Sequence, residues 1–414
     1  MLNHKIVIYI PTLKRSYAIQ RVLSEELGFL SELNIDICIY DSSPDNETCN
    51  IVKQYKSQYS NLKYERVSER IPSNKKYFDI CEKEARGKYE YVWIIQDHMV
   101  FTRLAALHIL DSLDKQADFY YLDMMGEKCA FTDETDLNEF AVKSAWMLTR
   151  FGTAILRTDS FLNGVDWNNK KKWLNKKTIN NSHVGLYFER LAEMDNPRVE
   201  TISFARDQFY DFMRFQPVAW SNELLRICLE CWGTTIYRLP SFYRKEAIVR
   251  SQDSLFISTT QLLSLKAQRR YGLLAYWRFK KWIELVYPNR KDEFKGVATL
   301  TLKRAEHKYI GNVIQMIDEA AERGLKIYIF GAGRHASEFS RYISEKNIEF
   351  DGFLVSKSEG NPERIGEHLV LEAHEALEKE DALIIIAVAA QNVESIKSSL
   401  AKINHKVIIT SLLE

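Results

Sequence analysis

The sequence predicts an α/β protein with three parts: a doubly wound α/β domain, a helical middle segment and a second, smaller Rossmann-like α/β domain. Three observations point there. Short β-branched or aromatic runs alternate with amphipathic helical stretches through the first quarter of the chain, and such alternation builds a parallel sheet. Three of those runs end in polar clusters, Pro11-Thr12, Asp41-Ser42-Ser43 and Gln96-Asp97-His98. Ligands of doubly wound sheets sit outside the carboxyl ends of the strands. Near the other end of the chain, Leu325–Phe330 leads into Gly331-Ala-Gly333-Arg-His-Ala336, a G-x-G-x-x-A turn between a strand and a helix.

Taken in order, Lys5–Ile10 reads as a strand that Pro11-Thr12 closes, because proline cannot continue a central ladder. Ser16 is placed to cap a helix whose apolar face is Ile19, Val22, Leu23, Leu27 and Leu30. Ile35–Tyr40 is a second strand, followed by the polar loop Asp41–Thr48 and a helix over Thr48–Tyr59. Leu62–Arg66 is a short strand. A helix from Asn74 to Arg86 follows, with Gly87 suited to its end. Tyr91–Ile95 is five apolar residues in a row, the mark of a strand buried on both faces. Asp97 and His98 at its end are costly to bury without a partner. A divalent cation is one such partner, and water in an open loop is the other. Strands are also expected over Ala117–Met124 and Thr153–Arg157.

Residues 1–215 are therefore read as the first domain, 216–304 as a helical extension and 305–414 as the last domain. The extension is rich in tryptophan, tyrosine, arginine and lysine, as in Arg269–Tyr287. Such a helix either packs on its neighbours or rests a basic, aromatic face on a membrane surface. In the last domain, strands are expected at Leu325–Phe330, Ile348–Val355, Ala382–Val388 and Lys406–Thr410, with helices to Lys346 and over Asn392–Lys402. Gly331 and Gly333 would let the backbone approach a phosphate at a helix N-terminus, or would make a tight turn with no ligand. Asp351 lies near the position of a ribose-binding acid.

The chain has 414 residues, 46% of them hydrophobic, and a net charge of +1. It can build sizeable cores, and no overall field favours nucleic acid. Six cysteines over this length are no disulfide framework. Cys228 and Cys231 form a C-x-x-C without a second pair or a nearby histidine, which reads as core cysteines on a helix face. Neither a signal-peptide pattern nor an apolar stretch of ~20 residues is present. The expectation is a cytoplasmic protein, with peripheral contact on the inner membrane face as an option.

Residues 1 to about 215 resemble a GT-A family 2-type glycosyltransferase. Ile6-Val-Ile-Tyr-Ile-Pro11-Thr12-Leu-Lys-Arg15 is similar to that family's opening P-T-x-x-R. Ile39-Tyr-Asp41-Ser-Ser43-Pro-Asp-Asn-Glu-Thr48 is similar to its D-x-S-x-D-x-T, and Gly87–His98 to its G-x-Y-x-x-x-L-D-D-D metal motif. The resemblance implies a nucleotide-sugar donor, with a uridine diphosphate sugar as the expectation, and a glycan, teichoic-type or polyol-phosphate acceptor at the cell surface. It implies that Pro11, Thr12, Asp41 and Ser43 hold the nucleotide and that Gln96 and Asp97 lie at its diphosphate. Arg15, Arg70, Lys75 and Lys76 are the cations that could meet phosphate. Asp97 and His98 would hold Mn2+ or Mg2+. Histidine in place of a second acid shifts preference toward manganese or leaves His98 to meet the diphosphate itself. The implied reaction is inverting displacement, with a carboxylate as general base. Glu189 stands where the family places its base, with Asp166, Asp207 and Asp211 as other candidates and His183 as an assistant. The last domain resembles nucleotide-binding Rossmann-like domains appended to sugar-modifying enzymes. A competing reading is a non-catalytic regulatory protein that binds a nucleotide at Gly331 and Gly333. A second enzyme in the last domain, such as an oxidoreductase, would need a catalytic set not evident there.

Overall fold

A computed structural model describes residues 5–67, 71–124, 136–205, 208–211, 223, 225–252, 275–300, 302–377, 381–388, 392–403 and 407–412. The chain divides into two compact units, Met1–Gln216 with Glu230–Ser251, and Pro217–Leu229 with Gln252–Glu414.

The first unit opens with β1 (Ile6–Thr12), α1 (Ser16–Glu25), α2 (Leu27–Glu32), β2 (Asp36–Asp41), α3 (Glu47–Lys56), β3 (Leu62–Arg66), α4 (Ser73–Glu84) and β4 (Tyr91–Ile94). It continues through β5 (Met99–Phe101), α5 (Arg103–Leu113), β6 (Phe119–Asp123), α6 (Leu137–Ser144), β7 (Ala154–Arg157), α7 (Ser182–Glu193), β8 (Val199–Ser203) and β9 (Phe209–Asp211). Its main sheet has the order β3-β2-β1-β4-β7-β6-β8. The first four strands are parallel, but β7 runs antiparallel to both β4 and β6, so the sheet is mixed. Apolar side chains of Ile6, Ile8 and Ile10 meet Ile19, Val22 and Leu23 in its core. The single helix expected from Ser16 onward is two, broken at the buried, Arg21-paired Glu26.

Strand β1 passes through Pro11 to Thr12 instead of stopping before it. Tyr9 O faces β4, where it accepts from Ile95 N, and Thr12 O faces β2, where it accepts from Ser42 N. Residues alternate sides along a strand. Pro11 therefore turns its missing donor toward β4, whose pairing with β1 has already ended at Tyr9 and Ile94.

The second unit has the sheet order β12-β13-β11-β10-β14-β15, from β10 (Lys326–Phe330), β11 (Gly352–Val355), β12 (Arg364–Ile365), β13 (His368–Glu372), β14 (Ala382–Ile386) and β15 (Ile408–Ser411). All pairings are parallel except β12 with β13. Helix Tyr276–Val286 buries Tyr276, Phe279, Ile283 and Val286, while Trp277 is 71% exposed. Residues 253–274, including the start of the basic, aromatic stretch, lie outside the described residues. Both cysteines of the C-x-x-C are buried and outside any disulfide, in a π-helical turn over Arg226–Cys231. Among the described residues no helix is long and apolar enough to cross a membrane.

Candidate functional site

In the first sheet β2 and β3 lie on one side of β1, and β4 on the other. The strand order reverses between β1 and β4, which opens a crevice at their carboxyl ends. Thr12 ends β1 there and Asp97 follows β4. Thr12 Oγ1 donates to Asp97 Oδ2 at 2.9 Å, joining the two sides. Arg15 Nη1 donates to Asp97 Oδ1 at 2.8 Å and lies 3.2 Å from His98 Nδ1, which is itself 3.2 Å from Oδ1. Burial alone would raise the Asp97 carboxyl. The hydrogen bond with His98, the Arg15 guanidinium and the Thr12 hydroxyl outweigh burial and hold it below its ordinary value.

Lys76 lies under this corner, 2% exposed, and donates from Nζ to Thr12 O at 2.7 Å. Burial pushes its ammonium down to about 8, while Asp41 and Asp97 pull it back up. Lys75, its neighbour on α4, is exposed. The helix thus turns Lys76, rather than Lys75, into the site.

Asp41 is fully buried. Its Oδ1 accepts from Ser43 N at 2.8 Å and its Oδ2 from Tyr64 Oη at 2.9 Å. Asp41 therefore shapes the loop after β2 through these two bonds. Arg66, at the end of β3, donates to the carbonyls of Ser43, Pro44 and Asp45 at 3.1, 3.1 and 2.8 Å. Lys14, at φ 55°, donates its backbone N–H to Ser43 Oγ at 2.8 Å. Between these loops lies a cleft of about 710 Å3 lined by Leu13, Lys14, Ser42, Ser43, Pro44, Arg66 and Val67. Its volume falls in the usual range of small-molecule pockets. Gln96 is half-buried at the turn into β5. Tyr64 and Arg66 went unread in the sequence, although an arginine ending the strand beside β2 was the available signal.

The donor set does not fit a cation shared by Asp97 and His98. The position between Oδ1 and Nδ1, where such an ion would bridge, is held by Arg15 Nη1. Among the described residues no group of three histidine, cysteine or acidic side chains is placed to hold a metal.

Glu189 is not brought to this cluster. One of its oxygens pairs with Lys172 Nζ and the other accepts from Trp173 Nε1 at 2.6 Å. With Phe78, Asp166 and Trp167 it lines a separate cavity of about 80 Å3. Asp166 caps the turn Trp167–Lys172. Asp207, Arg70 and the side chain of Asp211 lie outside the described residues. His183 is 1% exposed, and burial pushes it down to about 4. Its Nδ1 meets Asn74 Nδ2 at 2.8 Å and its Nε2 meets Thr149 O at 3.1 Å. Neutral imidazole satisfies both contacts, donating from Nε2 and accepting at Nδ1, so His183 ties α4 to α7.

In the second unit, Gly331 lies at the corresponding reversal between β10 and β14. Its φ is +124°, its N–H donates to Leu354 O at 2.8 Å, and a Cβ there would stand 2.9 Å from Ala387 O. That close packing accounts for a glycine at this position without a ligand. Gly333 has open space around it. Asp351 is at the opposite end of the sheet from the turn, where its Oδ2 accepts from Ile327 N and its Oδ1 from Lys326 Nζ, both at 2.8 Å. It therefore cannot meet a ribose seated at Gly331.

No family model matches the chain, and no curated protein matches it. Among solved structures, it is similar to S. aureus TarS residues 1–349, with 13% identity over 78% of this chain and 92% of that one and a TM-score of 0.47. TarS in complex with UDP-GlcNAc matches at 12% identity over 78% and 93%, with a TM-score of 0.45. The mannosyltransferase PcManGT from Pyrobaculum calidifontis, in complex with GDP-Man and Mn2+, matches at 12% identity over 72% and 86%, with a TM-score of 0.41.

Proposed function

We propose that the chain is a glycosyltransferase of GT-A type. In this reading it moves a sugar from a uridine diphosphate donor to a hydroxyl of a cell-surface glycan or polyol-phosphate acceptor, with inversion. The observation that carries the reading is the crevice between β1 and β4. There the Thr12–Asp97 bond, Arg15 and the buried Lys76 sit in the same first unit as the cleft lined by Leu13, Lys14 and Ser42–Pro44. Of these, Thr12, Arg15, Ser43 and Asp97 lie in the segments that resemble P-T-x-x-R, D-x-S and D-x-D. In this reading the nucleoside occupies the cleft and the diphosphate turns toward Arg15. Arginine suits that end because its planar fork matches phosphate oxygens. Glu189 is not carried into the reaction, since both of its oxygens already have partners. Peripheral contact with a membrane is part of the proposal and rests on exposed Trp277 beside Arg278, Lys280 and Lys281.

Calorimetric titration of the full chain with uridine, guanosine and adenosine diphosphates tests this. Uridine diphosphate should bind at least about tenfold more tightly than the other two, a difference of ~1.4 kcal/mol. Absence of binding by all three would refute the reading.

A further inference from the structure

We propose that this site binds its nucleoside diphosphate without a divalent cation, and that the Arg15 guanidinium takes the metal's place beside Asp97. The inference rests on the nucleotide-sugar reading of the same site. A metal-dependent site of this kind presents a carboxylate to an ion that also grips the diphosphate. Here the carboxylate is already engaged from two sides. Thr12 Oγ1 holds Oδ2 at 2.9 Å, and Arg15 Nη1 holds Oδ1 at 2.8 Å while standing 3.2 Å from His98 Nδ1. An ion bridging Asp97 and His98 would have to displace that guanidinium. An ion bound beside it would face a like charge across a corner where Asp97 is 5% exposed.

Two cations converge on the buried carboxylates here: Arg15 on Asp97, and Lys76 near both Asp41 and Asp97. Arg15 is the outermost of these charges, with its side chain 33% exposed against 6% for Asp97. A guanidinium has five N–H donors in a fixed fork. It can hold Asp97 through one edge and present the rest to a diphosphate. Asp97 then has a positioning role: it fixes the rotamer of Arg15 before the ligand arrives, which lowers the cost of ordering a long side chain on binding. Thr12 and Lys76 support it from below.

The test is calorimetric titration of the full chain with uridine diphosphate and with uridine, in buffer containing EDTA and in buffer containing Mn2+. The wild-type affinity for uridine diphosphate should agree within about threefold between the two buffers, well under the tenfold that 1.4 kcal/mol represents. Arg15→Ala should weaken uridine diphosphate by about tenfold or more, the scale of one lost charge-assisted bond, and leave uridine within about twofold. Arg15→Lys should fall between, because a point charge lacks the fork. Unchanged uridine binding shows that the variants fold. Wild-type binding that disappears in EDTA and returns with Mn2+ would overturn the inference and leave the proposed function standing. So would Arg15→Ala binding uridine diphosphate as tightly as wild type. Absence of binding in both buffers would overturn the inference and the function together.

Discussion

At the scale of single residues the site is a buried polar cluster, and each member is satisfied by another. Thr12, Asp41, Lys76 and Asp97 are all 5% exposed or less. Such groups are costly to bury without partners, which is why polar residues ending apolar runs were legible in the sequence. The partners were less so. Lys75 and Lys76 are adjacent, and only the helix phase decides which one enters, since neighbours differ by ~100° around a helix. Tyr64 and Arg66 act through β2–β3 pairing, which local sequence does not encode. Lys76 gives a prediction with two opposite signs. Its ammonium is pushed down to about 8 by burial. The unfolded chain keeps that proton to higher pH, so the unfolding free energy should rise as pH climbs from 8 toward the ordinary lysine value. Over the same window uridine diphosphate affinity should fall, because the folded site loses a positive charge. Parallel titrations and amide-exchange measurements across that window check both. Two curves of the same sign would contradict the assignment.

At the scale of elements, strand–helix alternation was readable because its periods differ. What reading along the chain missed were events between elements. The antiparallel insertion of β7 beside β4 depends on a partner sixty-odd residues away. Pro11 inside β1 is tolerated only because β4 has turned off on that side. The two-residue β12, Arg364–Ile365, is too short to carry a period. The turn after β10 gives a contrast between two glycines. Gly331→Ala should lower the opening free energy of the β10 and β14 amides by ~1–3 kcal/mol, because it forces a left-handed φ and a close approach to Ala387 O. Gly333→Ala should change it by no more than ~0.5 kcal/mol. Hydrogen exchange reads both, and equal effects would sink the packing account. On α7, Glu189→Gln should leave uridine diphosphate affinity within about twofold and lower stability by ~1–3 kcal/mol, as expected when a part-buried charged pair is broken. A large loss of turnover at unchanged stability would instead make Glu189 the base.

At the scale of the whole molecule, both sheets repeat one device. A first strand is followed by others to one side, and the chain then crosses to the opposite side, leaving a crevice at the reversal. Two α/β units were legible because each carries its own alternation and its own polar or glycine-rich strand end. Glu230–Ser251 joins the first unit, through contacts such as Tyr243 Oη to Phe188 O at 2.8 Å. Composition could not show that, since it describes a stretch of chain and not what the stretch packs against. The two crevices differ in chemistry. The first holds charged, buried, converging side chains, and the second holds a glycine explained by backbone packing. The proposed nucleotide site is therefore the crevice of the first unit. Photo-crosslinking the full chain with 5-azido-uridine diphosphate, followed by peptide mapping, tests that placement most directly. Labelling of peptides containing Leu13-Lys14, Ser42–Pro44 or Arg66-Val67, competed away by uridine diphosphate, is the predicted result. Competed labelling confined to peptides around Gly331–Ala336 would contradict it.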